Sequence, residues 1–595
     1  MKKTFLLSAL ILLITLILTL CSCNNPPEIP PADSESESLP ADTDVSTDSG
    51  IHKIIENGVV NYVVVRVENA SKDLMSSISA FHKFLSGKSS ERVIYETDYS
   101  LDYLATGKHD ESRLEIVIGN TNYEKSAELM STLNYGEYRI EASGNKIFVV
   151  SLTDEGLDSA LKYLQDLFTL SYDSATKSLS VTSDEVGCLK SYNSALAGIP
   201  LFENGKYELA KDGGDGSTML IFKNVSDDAY DNYVNKLLEM DYKEYYRNDN
   251  FSEKNKYILL TKGDAAVNVL YTGIDSRIRV IVDDLTITAL PAVSTDYTAD
   301  KKVCDSLMIL IGNVPIGGGI NKCEGYLIRC EDGKFIVIDG GVGGNGDGPI
   351  PRNTVKRLYD TIVQYTPSGM TPTVASWIIT HRHLDHVGAF KEFAPKYTNK
   401  LTIEQFIFNY PLNEYGEQPW PARQELHNII ASYFKNAKIV KPHPGQIFQF
   451  ANVKMETLYS IEMLYPKAFE KSQNNASLVT RFYIGEHTIL MPGDMGPDAY
   501  PVVMQYYGDY LKSEFYQVAH HGVAGVGNSF NVLVDPTWVL WPSGEKMYED
   551  QKFASHNAWF SDPAAKVKMI FVAGFQTTVI NFPFDGTNYT ITPNT

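Results

Sequence analysis

Cysteine is scarce in this chain, six among 595 residues. Beyond Cys21 and Cys23 only Cys188, Cys304, Cys323 and Cys330 remain, and no two stand in a CxxC spacing. The fold therefore does not depend on a disulfide framework. A Cys323–Cys330 or a Cys304–Cys323 pair stays open for an exported protein, and the sequence does not choose between them. Basic runs are missing as well. The formal net charge is -21, which repels phosphate backbones, so no nucleic-acid partner is expected. After Leu20 no stretch approaches the roughly 20 apolar residues that a membrane span needs. Residues 186–297 contain no histidine, so that stretch offers no obvious metal site.

What is present begins with a targeting segment. Lys2 and Lys3 precede an apolar run from Thr4 to Leu20, followed by Leu20-Cys21-Ser22-Cys23. This pattern resembles a bacterial lipoprotein signal, residues 1–23, with Cys23 the expected lipidation site and Cys21 the second choice. It implies a protein outside the cytoplasm, held at the bacterial cell membrane by acyl chains. Residues 24–50 are rich in Pro, Ser, Asp, Glu and Thr and read as an acidic tether. The chain length and its 43% hydrophobic content predict about three or four globular domains.

Residues 51–180 read as a small α/β domain. Leu74, Ile78, Phe81 and Leu85 recur at helical spacing, and Thr153 can cap a helix carrying Leu157, Leu161, Leu164 and Phe168. Ile116-Val117-Ile118-Gly119-Asn120-Thr121, the hairpin from Tyr138 to Val150 and the following helix resemble the small domain that precedes the catalytic barrel in several glycoside hydrolases, such as α-glucuronidases. The resemblance covers about 120 residues and carries over no catalytic residue. Residues 186–297 read as a small α+β module. Ser226 opens a helix with Tyr230, Tyr233, Val234, Leu237 and Leu238, and strand-like runs follow it. Its aromatics are expected to be core.

Residues 301–595 hold nine of the twelve histidines. Strand-like runs Gly325–Cys330, Phe335–Asp339, Val374–Thr380, Thr488–Met491, Phe515–Ala519 and Trp538–Trp541 alternate with helical stretches, which suggests two sheets sandwiched by helices. The run Val374–Thr380 ends in His381-Arg382-His383-Leu384-Asp385-His386. A strand that ends in imidazole and carboxylate groups suits a metal site. In extended backbone His381 and His383 can point the same way at one metal, while Asp385 and His386 reach a second. Asp339-Gly340-Gly341, this HxHxDH run, Gly493-Asp494 and His520-His521-Gly522 follow in that order.

The four motifs together resemble the metallo-β-lactamase superfamily. Asn474–Val479, the Gly-Asp turn and the His-His-Gly turn are most similar to the extracellular hydrolase domain of competence DNA-uptake proteins and to bacterial phosphorylcholine esterases. The resemblance implies an αββα sandwich behind two smaller N-terminal α+β domains. It also implies a metal-dependent hydrolase that uses a metal-bound hydroxide. The implied ligands are His381, His383, Asp385, His386, a bridging Asp494, and His520. Asp385 and His521 are the catalytic candidates, and Asp339 is expected to orient a ligand histidine. One departure stands out: the family's further histidine is missing between Leu458 and Asn475, where Asn475 takes its place. His443 comes too early in the chain to fill it. His556 is a pocket candidate. Zinc is the expected ion, two per site, with manganese or iron as alternatives.

The expected reaction is hydrolysis of phosphodiester bonds in a small molecule or a cell-surface polymer. Hydrolysis of carboxylic esters, lactones or amides is the alternative. A reading of another class is a carbohydrate-binding surface lipoprotein whose metal domain is structural. The oligomeric state stays open.

Overall fold

The computed structural model describes residues 50–593 apart from 214, 250, 253, 313–321, 323, 344–353, 411–422, 467–471 and 575. Cys23, the signal segment, residues 24–49 of the tether and Cys323 lie outside the described residues. Among the described residues no helix is long and apolar enough to cross a membrane.

The first part of the chain forms a six-stranded mixed sheet, in the order Cys188–Ser191, Glu137–Ser143, Lys146–Ser151, Glu115–Ile118, Val63–Arg66, Tyr95–Thr97. Alternation along the strands divides its residues between two cores. Val64, Ile116, Ile118, Ile147 and Val149 meet the helices Lys72–Ser86 and Asp154–Ser171 on one face. Val63, Val65, Val117, Phe148 and Val150 pack with Leu129 on the other. Thr153 Oγ1 accepts from Gly156 N at 3.1 Å, the cap read from the sequence.

The second part is a six-stranded antiparallel sheet, in the order Lys206–Asp212, Thr218–Lys223, Arg277–Asp284, Ala265–Thr272, Asn255–Lys262, Lys243–Asn248. One face is covered by the helix Asp227–Glu239, which buries Tyr230, Tyr233 and Leu237. The other face sends Tyr257, Leu259, Ala266 and Leu270 into a core shared with Leu458, Tyr459, Met495 and Tyr507 of the C-terminal part. The central strands Thr218–Lys223, Asn255–Lys262, Ala265–Thr272 and Arg277–Asp284 are buried on both sides, which is why they read as near-continuous apolar runs.

The C-terminal part has two stacked sheets. The first runs Lys438–Val440, Gln405–Ile407, Thr373–Ile378, Phe335–Asp339, Gly325–Arg329, Leu307–Leu310, Gln576–Asn581, Tyr589–Pro593. The second runs Ile447–Phe450, Val453–Tyr459, Val479–Ile484, His487–Met491, Phe515–Gln517, Trp538–Trp541, Met569–Val572. Between them lies an apolar layer that includes Met308, Tyr326, Ile338, Met455, Phe482 and Leu540. Helices Thr354–Tyr365 and Leu384–Tyr397 pack outside the first sheet through Leu358, Ile362, Phe390 and Phe393. Helices Ala499–Tyr507 and Asn528–Val534 pack outside the second through Val503, Tyr507 and Phe530. The order helix, sheet, sheet, helix is the sandwich that the motifs implied. The strand Leu307–Leu310 is an addition to the expected list.

Candidate metal centre

The parallel strands Phe335–Asp339 and Thr373–Ile378 end side by side. Asp339 closes the first in a left-handed conformation, φ 55°. A non-glycine residue in this region costs energy unless its surroundings hold it. Here Thr380 supplies the hold: its backbone N donates to Asp339 Oδ1 at 2.8 Å and its Oγ1 to Oδ2 at 2.7 Å. Beyond Thr380 the chain passes His381, and His383 stands at the N-cap position of the helix Leu384–Tyr397 without a side-chain capping bond. Asp385 and His386 thus fall in the first helical turn. An acidic side chain is favoured there by the helix dipole.

Asp339 also accepts from His386 Nδ1 at 2.7 Å. This sets the tautomer and turns His386 Nε2 toward Asp494, whose Oδ1 is 3.2 Å away. Asp494 follows the strand His487–Met491. Its turn is held by Gln517, whose Oε1 accepts from Gly493 N at 2.9 Å and whose Nε2 donates to Val518 O at 2.8 Å. Gln517 therefore ties the Gly-Asp turn to the His-His-Gly turn.

The two histidines of that turn part ways. His521 is fully buried, and its Nδ1 donates to Pro542 O at 2.7 Å. Its Nε2 stands 3.4 Å from Asp494 Oδ1 and 3.3 Å from Asp385 Oδ2. His520 keeps a fifth of its side chain exposed, and its Nε2 is 3.9 Å from Asp494 Oδ2. Asn474 Nδ2 donates to that nitrogen at 3.3 Å. The structure thus brings His521 into the buried cluster and leaves His520 at its edge.

Asp494 divides its oxygens. Oδ1 faces His386 and His521, while Oδ2 faces His381 Nε2 at 3.8 Å. His381 Nε2 lies 3.0 Å from His383 Nδ1. Two groups able to hold an ion result: His381, His383 and Asp494, and Glu324, His386, Asp494 and His521, with the offered atoms of each group within 4.8 Å of one another. Glu324 was not legible as a site residue, because a lone glutamate before a strand carries no spacing signal.

The buried acids and imidazoles of these groups shift one another strongly. Burial and the neighbouring His386 hold His381 well below the ordinary imidazole value. Burial also disfavours a charge on His386, but Asp494 and Asp339 outweigh it and hold its pKa well above the ordinary value. His521 is pushed up to about 10, Asp494 and Asp385 overcoming its burial. Asp494 is held well below the usual carboxylate range despite its burial, by His386 and His521. Burial lowers His520 to about 4 and raises Glu324 to about 8. His386 Nε2, His521 Nε2 and Asp494 Oδ1 are buried and make no hydrogen bond. Buried polar atoms left unpaired are costly, and three that converge suit an ion.

The remaining candidates stand off the cluster. Asn475 turns its amide away: its Nδ2 donates to Asp498 Oδ2 at 2.8 Å and its Oδ1 accepts from Asp498 N at 3.1 Å. Asn474, one residue earlier, is the asparagine that faces His520, and its Oδ1 is buried without a hydrogen bond. His556 Nε2 donates to Gly522 O at 2.9 Å and so supports the back of the turn. His443 is engaged at both nitrogens, by Glu462 and Asp283.

No curated protein matches the chain. Solved structures similar to it include the metallo-beta-lactamase fold protein YhfI from Bacillus subtilis, at 11% identity over 47% of this chain and 100% of that one, TM-score 0.29. They also include CmlA, a diiron beta-hydroxylase from Streptomyces venezuelae, at 11% identity over 40% of this chain and 44% of that one, TM-score 0.25. Human tRNase Z, short form, is 10% identical over 46% of this chain and 98% of that one, TM-score 0.25. The family model described as "Metallo-beta-lactamase superfamily" matches residues 321–522, so this stretch of the chain is a domain of that superfamily.

Proposed function

We propose that the chain is an exported, lipid-anchored, metal-dependent hydrolase that cleaves phosphodiester bonds of a surface or extracellular substrate. The observation that carries the hydrolase reading is the convergence of His381, His383, His386 and His521 on the two oxygens of a buried Asp494, with Asp385 against His521. The HxHxDH, Gly-Asp and His-His-Gly resemblance to phosphodiester-cleaving relatives supports the substrate class. The N-terminal resemblance to a lipoprotein signal supports the location.

Divalent ions held by these side chains would polarise a scissile ester and activate water. Zinc, manganese and iron all suit the nitrogen and oxygen donors. The protein's own contribution is positional. Asp339 fixes the ring of His386, and Pro542 O fixes that of His521. Asp385 keeps about a quarter of its side chain open to solvent, so its carboxylate can orient an attacking water and take its proton. His520 is neutral near pH 7 and flanked by Asn474. It is the member of the histidine pair placed to meet substrate, so the roles expected for His520 and His521 exchange.

The test is hydrolysis of bis-p-nitrophenyl phosphate by the purified chain. Asp385→Ala and His383→Ala should each lower turnover at least about a hundredfold with the fold retained by circular dichroism. Cleavage of lactones or thioesters with no phosphodiesterase activity would overturn the substrate class. The anchor is tested separately: Cys23→Ser should shift the protein from the membrane to the soluble fraction, and an unchanged membrane share would refute lipidation there.

A further inference from the structure

Glu324 stands directly before the strand Gly325–Arg329, and its backbone is fastened into the site. Its N donates to Asp385 O at 3.2 Å, and Gly340 N donates to its carbonyl at 3.2 Å. The side chain is buried, with 1% of the residue exposed. Gln517 Nε2 meets its Oε2 at 3.3 Å, a long contact for a buried carboxylate. Its carboxylate, His386, Asp494 and His521 each offer an atom within 4.8 Å of the others. Asp385 Oδ2 lies 3.3 Å from the same His521 nitrogen. Three carboxylates are thus gathered around two imidazoles, two of them, Glu324 and Asp494, buried and Asp385 at the solvent edge. Like charges this close repel one another, and burial adds to the penalty. A dication relieves both.

We infer that Glu324 is a further ligand of this cluster and makes it a three-carboxylate half-site suited to Mn²⁺ or Fe²⁺ more than to Zn²⁺. The inference rests on the reading of the cluster as a metal centre given above. Zn²⁺ is satisfied by about four ligands, whereas carboxylate oxygen and higher coordination favour the harder ions. Glu324, Asp385, His386, Asp494 and His521 offer more donors than a tetrahedral ion uses. The other half-site, with His381 and His383, is the one richer in imidazole.

The full chain, stripped with chelator in detergent, is titrated with Mn²⁺ and with Zn²⁺. Binding is read by equilibrium dialysis and by the Mn²⁺ paramagnetic resonance signal. E324Q should weaken Mn²⁺ binding by about tenfold or more, and Zn²⁺ binding by less. Retention of Mn²⁺ affinity within about threefold in E324Q, with D494A losing it, overturns the role of Glu324 alone. Retention in D494A as well overturns the metal centre itself. Equal losses of both ions in E324Q overturn the ion preference. Should E324Q fail to fold, E324D, which keeps the charge but withdraws it by one methylene, is expected to show the same loss of Mn²⁺.

Discussion

His520 and His521 are neighbours in sequence with opposite surroundings. Both adopt left-handed backbone, φ 51° and 57°, which non-glycine residues reach only where the structure around them compels it. This reversal sends one ring into the buried cluster and the other to its edge. Alternation rules predict side-chain direction for strands and helices and are silent here, so the division into a ligand His520 and a catalytic His521 came from the resemblance and not from side-chain direction. Asn474 and Asn475 raise the same problem, and only coordinates show that the first faces His520. The division predicts distinct variants. His521→Ala should lose bound metal along with turnover, the latter by at least about a hundredfold. His520→Ala should keep its metal and lose about tenfold to a hundredfold in turnover. Metal content by elemental analysis separates the two, and a reversed pattern would return His520 to the ligand set.

At the scale of elements, the legible parts were those with a period. The HxHxDH run lies where a strand becomes a helix, and both flanks carry strong patterns: Val374 to Ile379 are buried, and Val387, Phe390 and Phe393 line one helix face. The illegible parts were turns and some short strands. Leu307–Leu310 is four buried residues without alternation, which a period-two reading passes over. The His-His-Gly turn owes its shape to a contact made far along the chain. Gly522 has φ 82°, and a Cβ there would lie 2.2 Å from the Trp541 ring. Trp541 Nε1 in turn donates to His521 O at 3.0 Å. The indole therefore sits against the back of the turn and holds His521 forward. Glycine was visible in the motif, and its reason, an aromatic ring some twenty residues later, was not. Another unread element is the turn Ile461–Met463. Arg279, buried in the second sheet, donates to Glu462 O, Met463 O and Tyr465 O at 3.2, 3.2 and 3.0 Å. A buried arginine can meet several carbonyls at once because its donors are fixed in a fork.

Across the whole molecule, these contacts join residues 206–284 to the C-terminal sandwich through polar as well as apolar groups. At their centre His443 donates from Nδ1 to Glu462 Oε2 at 2.8 Å and from Nε2 to Asp283 Oδ2 at 2.7 Å. Lys441 Nζ stands 3.4 Å from Asp283, 3.5 Å from Asp215 and 3.6 Å from Glu462. Asn409 Nδ2 also donates to Glu462, at 3.0 Å. Burial opposes a charge on His443, but Glu462 and Asp283 outweigh it and raise its pKa to about 9. An unfolded histidine titrates near 6.5. The folded state thus holds a proton that the unfolded chain releases between these values. The stabilisation is complete below about pH 6.5 and is lost as pH rises through about 9. Its ceiling, from about 1.4 kcal/mol per pKa unit, is about 3 kcal/mol. Glu462 is depressed by the same partnership, and counting it again would double the effect. Chemical denaturation at pH 6.5 and at pH 9.5 checks the sign. Wild type should lose up to about 3 kcal/mol over that interval. His443→Gln, less stable at pH 6.5 because two buried carboxylates lose their cation, should change much less. Groups that titrate elsewhere are common to both proteins and cancel in the comparison. Equal pH slopes would mean that His443 gains no second proton in the folded chain.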